Sequence, residues 1–217
     1  MPHERLQPSA TGSGVVKPNL SWKGAVMPRD PGSNARTPQL VLLSGGIDSA
    51  AALVLALDSG STASALFVNY GQAAAISEGR ASAALAARYG VKHQTVCCSG
   101  QRFGAGEIRG RNAFLAHLAL MTYPAETGVI VLGIHAGTGY RDCTFDFVDL
   151  IQRSYDFHAG GQIALAAPFI NQAKGDVVNL AMKLGLPFEL TYSCEAGNAP
   201  CGQCRSCRDR EVCLDRA

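Results

Sequence analysis

An apolar run, Leu40-Val41-Leu42-Leu43, passes without a spacer into Ser44-Gly45-Gly46-Ile47-Asp48-Ser49, and that hexapeptide passes directly into an Ala/Leu-rich stretch. Such an order predicts a buried strand that turns sharply into a helix N-terminus. Free N–H groups and the positive end of the helix dipole make that turn an anion site. Gly45 and Gly46 are expected to adopt positive φ and let the backbone approach a ligand closely, while Ser44 and Ser49 add hydroxyl donors. Asp48 would be out of place in a loop that only attracts anions. It makes sense as a Mg²⁺ ligand or as a cap that fixes the loop.

The rest of the chain repeats the same alternation of short apolar runs and helical patterns, the sequence form of an α/β doubly wound parallel sheet. Five strands are expected near 40–43, 64–69, 93–97, 129–133 and 163–167. Helices are expected near 48–59, 77–89, 112–126, 145–157 and 173–184, with Gly60, Gly90, Gly128 and Gly185 closing them. Val177, Val178, Ala181 and Leu184, and likewise Val148, Ile151 and Tyr155, recur at helical spacing and are read as core faces. Residues 1–38, rich in Pro, Ser, Gly and Arg and holding Trp22, show no sustained period and are read as a mobile tail.

A net charge of +2 offers no general basic surface, so no nucleic-acid partner is expected. The longest apolar runs, such as Ile163 to Ile170, are too short to span a bilayer. Eight cysteines without a secretory pattern point to a reducing compartment, the cytoplasm, where clustered thiols bind metal. Cys194, Cys201, Cys204 and Cys207 stand as C-x6-C-x2-C-x2-C, which suits tetrahedral Zn²⁺ with no open position, hence a structural site in a segment spanning 191–217. Cys97 and Cys98 are expected to be buried small hydrophobes, and Cys213 to lie on a charged terminal helix.

Neither a Walker A ending nor a complete dinucleotide fingerprint is present, so nucleotide chemistry falls to the Ser44–Ser49 loop. That loop resembles the PP-loop of enzymes that cleave ATP between its α and β phosphates. Together with the cysteine cluster it is similar to the 7-cyano-7-deazaguanine synthase (QueC) family. Asn69-Tyr70-Gly71-Gln72, Gly110-Arg111-Asn112, Gly139-Tyr140-Arg141-Asp142-Cys143, Pro168 with Lys174, and Pro200 through Arg210 carry the likeness over residues 39–213. Arg141 stands where the family has proline, and the segment from Cys98 to Gly110 is shorter than the family's.

The resemblance implies an adenine nucleotide alpha hydrolase-like domain over 39–190. It also implies a ligase that converts 7-carboxy-7-deazaguanine and ammonia into a nitrile with ATP, Mg²⁺ and a structural Zn²⁺, and a homodimer. It places Ser44, Gly45, Gly46, Asp48, Ser49, Tyr70 and Gln72 on ATP, with Asp48, Lys174 and Arg111 in the chemistry. Asn112, His135 and Asp142 are the substrate candidates. Helix capping is the alternative reading of Asn112 and Asp142, and Lys174 reads equally as a solvated helix lysine. Two rivals follow from the same residues. One is a PP-loop ligase or sulfur-transfer enzyme acting on another acid or nucleobase, which a reactive, low-pKa Cys143 would favour. The other is a non-catalytic zinc-knuckle binding module.

Overall fold

The computed structural model describes residues 37–104 and 106–215, with the side chains of Cys213 and Leu214 excepted. Trp22, the rest of the expected tail through residue 36, and the Cys213 side chain lie outside the described residues. Five strands form one parallel sheet: β1 (Pro38–Leu42), β2 (Thr62–Asn69), β3 (Lys92–Cys97), β4 (Gly128–Val131) and β5 (Ile163–Ala166), in the order β3-β2-β1-β4-β5. Leu40 faces Ser64 on one side and Ile130 on the other. The chain winds outward from β1 through β2 to β3, then returns to the other side of β1 as β4. Ligands bind in such sheets beyond the strand C-termini at the point of reversal, here between β1 and β4.

Among the described residues six α-helices accompany the sheet: α1 (Ile47–Asp58), α2 (Ala75–Arg88), α3 (Arg111–Thr122), α4 (Phe145–Ala159), α5 (Lys174–Lys183) and α6 (Arg205–Leu214). One apolar layer joins α1, α2 and α5 to the sheet through Leu53, Leu85, Val177 and Val178. The opposite layer joins α3 and α4 through Ala116, Ala119, Ile151 and Tyr155. α1 is apolar nearly all round and buries Ala50, Ala51 and Ala52 between the sheet and α5, so its small side chains set how closely the layers approach. The two helical stripes read from the sequence are core faces: Val177, Val178, Ala181, Ile151 and Tyr155 are buried, and Leu184 and Val148 pack partly against the same layers.

Three local expectations need correction. α3 stops at Thr122 and not near 126, because Tyr123 precedes Pro124 and is held extended (φ −63, ψ 125). Gly128 closes no helix; it is the first residue of β4, where a Cβ would lie 1.8 Å from the Tyr123 hydroxyl and 2.6 Å from the Pro38 carbonyl oxygen. Cys97 is exposed and Cys98 half-buried, because β3 is the edge strand of the sheet and no other strand among the described residues covers its outer side. No helix among the described residues is long and apolar enough to cross a membrane.

Candidate functional site

The loop at the end of β1 closes on itself through its hydroxyls. Gly46 N–H donates to Ser44 Oγ at 3.4 Å, Ser44 and Ser49 hydroxyls meet at 3.0 Å, and Ser49 Oγ donates to Gly46 O at 3.0 Å. Only Gly45 takes positive φ (+83); Gly46, the N-cap of α1, is extended at φ −77. Gly45 faces away from the ligand side: a Cβ there would sit 2.6 Å from Glu78 O and 2.8 Å from Ala81 Cβ. Its demand for glycine comes from α2 packed behind the loop. Asp48 does not cap α1; it is the second residue of the helix.

Asp48 is instead the centre of a charged cluster. Lys174 Nζ donates to Asp48 Oδ1 at 2.6 Å, and His135 Nε2 lies 3.7 Å from Asp48 Oδ2. Lys174 is no solvated helix lysine, since its side chain is 23% exposed against 26% for Asp48. It is the first residue of α5, where the helix dipole disfavours a cation, and Arg111 is likewise the first residue of α3. Two cations and the N-termini of α1, α3 and α5 therefore converge on one region. Their mutual repulsion is offset by Asp48 in the free protein and is suited to a polyanion.

His135 is buried, and burial holds its pKa below the ordinary value against the opposing pull of Asp48. Its Nδ1 accepts the Gly137 N–H at 3.1 Å, which places the proton of the neutral ring on Nε2, toward Asp48.

These groups border a cleft of about 210 Å³ whose lining includes Ser44, Gly46, Asp48, Ser49, Tyr70, Gln72, Arg111 and Asn112 over a floor of Leu42, Leu66, Val68 and Leu132. Asn112 is buried but caps nothing, because Gly110 is the N-cap of α3. Its Oδ1 accepts from Arg111 Nε at 3.3 Å, and its Nδ2 donates to Asp142 O at 3.4 Å. Asp142 is not a cap either; Thr144 caps α4 by accepting Phe147 N–H. Asp142, His135, Gly45 and Lys174 stand outside the cleft lining and reach it through Asn112, Asp48 and the loop. Gln72 folds back on the end of β2, its Oε1 accepting Tyr70 N–H at 2.9 Å and its Nε2 donating to Val68 O at 3.1 Å. The short segment after β3 is pinned to the same turn, where Phe103 N–H donates to Gly71 O at 2.9 Å and its ring meets Tyr70 at 5.9 Å.

Glu78 also lines the cleft and was missed from the sequence. It accepts from Gln72 Nε2 at 2.8 Å, and burial pushes its carboxyl pKa up. Its visible signal was an acid in the first turn of α2, which there reads as an ordinary partner of the helix dipole.

The four cysteine sulfurs of Cys194, Cys201, Cys204 and Cys207 all lie within 4.8 Å of one another and could hold a metal ion. A tetrahedron with Zn–S bonds of about 2.3 Å has edges of about 3.8 Å. The Cys201–Cys207 sulfur separation, 3.9 Å, matches such an edge. Backbone N–H groups of Cys204 and Cys207 donate at 3.4 Å to the Cys201 and Cys204 sulfurs, an arrangement that favours thiolate. The cluster is also tied to the cleft. Tyr192 N–H donates to Gly45 O at 2.8 Å, Asn198 Oδ1 accepts from Ile76 and Ser77 N–H at the start of α2, and Arg205 donates to Gly137 O at 3.0 Å. Cys143, by contrast, is buried and its thiol is pushed up by that burial, which removes the support for sulfur transfer.

A family model described as Queuosine biosynthesis protein QueC matches residues 38–105 and 98–217. This chain belongs to the QueC family. Among its curated relatives, the 7-cyano-7-deazaguanine synthase of Synechococcus elongatus is 36% identical, covering 82% of this chain and 90% of that protein. The 7-cyano-7-deazaguanine synthase of Methanoculleus marisnigri is 32% identical, covering 78% and 90%. A solved structure, NMN synthetase from Francisella tularensis, is similar at 19% identity and TM-score 0.43 over 72% of this chain and 65% of that one, a likeness too loose to carry more. In this QueC-family chain Asp48, Lys174 and Arg111 stand together at the Ser44–Ser49 loop.

Proposed function

We propose that this chain is an ATP-dependent ligase that converts 7-carboxy-7-deazaguanine and ammonia into 7-cyano-7-deazaguanine. The observation that carries the reading is the meeting of Lys174, Arg111 and three helix N-termini around the Ser44–Ser49 loop, with Asp48 paired to Lys174 at 2.6 Å. A carboxylate is a poor electrophile because its oxygen leaves badly and its charge repels a nucleophile. Attack of that oxygen on the α-phosphorus of ATP breaks the bond to the bridging oxygen and releases pyrophosphate, which the loop N–H groups and Ser44 and Ser49 hold. AMP is then the leaving group when ammonia attacks the acyl carbon. A second adenylation, at the amide oxygen, permits elimination to the nitrile.

In this reading Lys174 and Arg111 stabilise the charge that develops on the transferred phosphate. Asp48, a part-exposed carboxylate that lines the cleft, would be the hard ligand for Mg²⁺, which would supply charge neutralisation to the triphosphate. His135, with its proton on Nε2, orients Asp48. Tyr70 and Gln72 border the nucleotide. Asn112, which lines the cleft and holds the Asp142 main chain, faces the deazapurine, and Asp142 behind it is the candidate for reading the amino and ring N–H groups. Cys194, Cys201, Cys204 and Cys207 would hold Zn²⁺, which would fix the 191–217 segment to the 39–190 nucleotide domain.

The enzyme works in the cytoplasm, where thiols stay reduced. We place it in a homodimer, supported by α3, which has no Asp, Glu, Lys or Arg after Arg111 and leaves Phe114 and Met121 exposed. Exchange of labelled pyrophosphate into ATP tests the first step. It should require 7-carboxy-7-deazaguanine and vanish in Lys174→Ala; exchange that ignores the acid contradicts the substrate assignment.

A further inference from the structure

The cleft is built for anions, and one residue in it runs against that design. Asp48 is neutralised by Lys174, but Glu78 has no cation within 4.0 Å among the described residues. Its carboxylate is not free to turn away. Both amide hydrogens of Gln72 are engaged, one on Val68 O and one on Glu78 Oε2, and the Gln72 carbonyl is taken by Tyr70 N–H, so the amide can neither flip nor follow. Oε2 is thereby fixed, and Oε1 has no protein partner among the described residues. Burial works against the ionised form, as does the charge of Glu195, while the Gln72 bond and the charge of Arg111 favour it. A partly buried carboxylate with one open oxygen, in a site that must also accept triphosphate and a carboxylate substrate, costs stability and repels both ligands.

That cost is offset if the carboxylate receives a cation during turnover. The ligase reading, on which this inference rests, consumes one: nitrogen enters from neutral water almost wholly as ammonium. We propose that Glu78 is the ammonium subsite of the cleft, binding the cation through Oε1 and taking one proton from it. Ammonium transfers a proton to the Glu78 carboxylate, the freed lone pair of ammonia forms the C–N bond at the acyl carbon, and the C–O bond to AMP breaks with its electron pair leaving on AMP. The protonated amine then loses its second proton to solvent, and Glu78 returns its own to solvent before the next round.

Hydroxylamine, which is neutral at pH 7.5 and needs no such acceptor, separates this role from adenylation. Purified full-length protein with ATP, Mg²⁺ and 7-carboxy-7-deazaguanine would be offered ammonium or hydroxylamine, with amide plus nitrile and hydroxamate measured by mass. In E78Q the ratio of hydroxylamine-derived to ammonium-derived product should rise at least ten-fold, through a raised KM for ammonium at unchanged KM for ATP. E78D, which keeps the charge, should restore part of the ammonium reaction. An unchanged ratio, or a loss that is cured by excess Mg²⁺, overturns the proposal, the second by making Glu78 a metal ligand. Wild-type protein that forms neither hydroxamate from hydroxylamine nor amide or nitrile from ammonium contradicts the ligase reading itself and is distinguished from both.

Discussion

Lys174 Nζ and Asp48 Oδ1 meet at 2.6 Å although the residues stand 126 positions apart in the chain. One opens α5 and the other lies in the first turn of α1, so the pair links the helix that follows β1 to the helix that follows β5. Removing either charge strands the other in a part-buried position beside helix N-termini. Asp48→Asn and Lys174→Met should each lower pyrophosphate release by on the order of 100-fold or more. The double variant should be little worse than either single one, since the two act as a unit; fully additive losses in a double-mutant cycle would show independent roles.

Gly45→Ala tests why the loop has its shape. The new Cβ would meet Glu78 O at 2.6 Å in a backbone at φ +83, so α2 must shift or the loop must flatten. We expect a cost of about 2–4 kcal/mol, read as a fall in Tm of on the order of 5–10 °C. Gly46→Ala, at φ −77 with the nearest atom 3.5 Å away, should be tolerated far better by the same measurement.

Much of this arrangement was legible in the sequence. β1, β2, β4 and β5 were visible as short apolar runs, β3 more faintly through Thr95, Val96 and Cys97, and α4 and α5 because Ile151, Tyr155, Val177 and Ala181 keep helical period. The Ser44–Ser49 loop and the cysteine spacing carry their chemistry in consecutive or near-consecutive residues. Glu78 was not legible, because its significance lies in Gln72 bending back across the end of β2 to fix it. The seat of the cysteine segment on the cleft was equally hidden: Asn198 capping α2 and Arg205 holding Gly137 are contacts across more than 60 residues of chain. Cys97 was misread because edge position is a property of strand order, which no single strand announces.

Those contacts predict that the metal site matters beyond its own segment. Metal analysis of the purified protein should return one zinc per chain, and Cys204→Ser should abolish it. The same substitution should lower Tm by at least about 10 °C and weaken ATP binding, because Tyr192, Asn198 and Arg205 lose their anchor beside Gly45, α2 and Gly137. ATP affinity unchanged in a folded, zinc-free protein would contradict the link.

His135 gives a pH signature with a defined sign. Burial lowers its pKa in the folded state, so in the window below about 6.5 the unfolded chain binds a proton that the native protein refuses. Stability should therefore fall as pH drops from 7 through that window, down to the lowered native pKa. His135→Gln should flatten this limb in urea midpoints measured between pH 7.5 and 5.5; an equally steep limb in the variant would place the effect elsewhere.

Glu78 has the opposite sign. Its folded-state pKa is raised, so the ionised side chain costs stability once the pH rises above the ordinary carboxylate range. E78Q should raise Tm at pH 7 by on the order of 2 °C, with the gain disappearing near pH 4.5. A loss of stability at pH 7 would mean that the carboxylate holds the fold together.

Mass analysis of the product, with AMP counted alongside, decides whether this chain is the nitrile-forming ligase. Purified protein given ATP, Mg²⁺, ammonium and 7-carboxy-7-deazaguanine should yield the nitrile with two AMP formed per molecule of nitrile, and none in Asp48→Asn. AMP formed only with some other acid, or no AMP at all, would contradict the account.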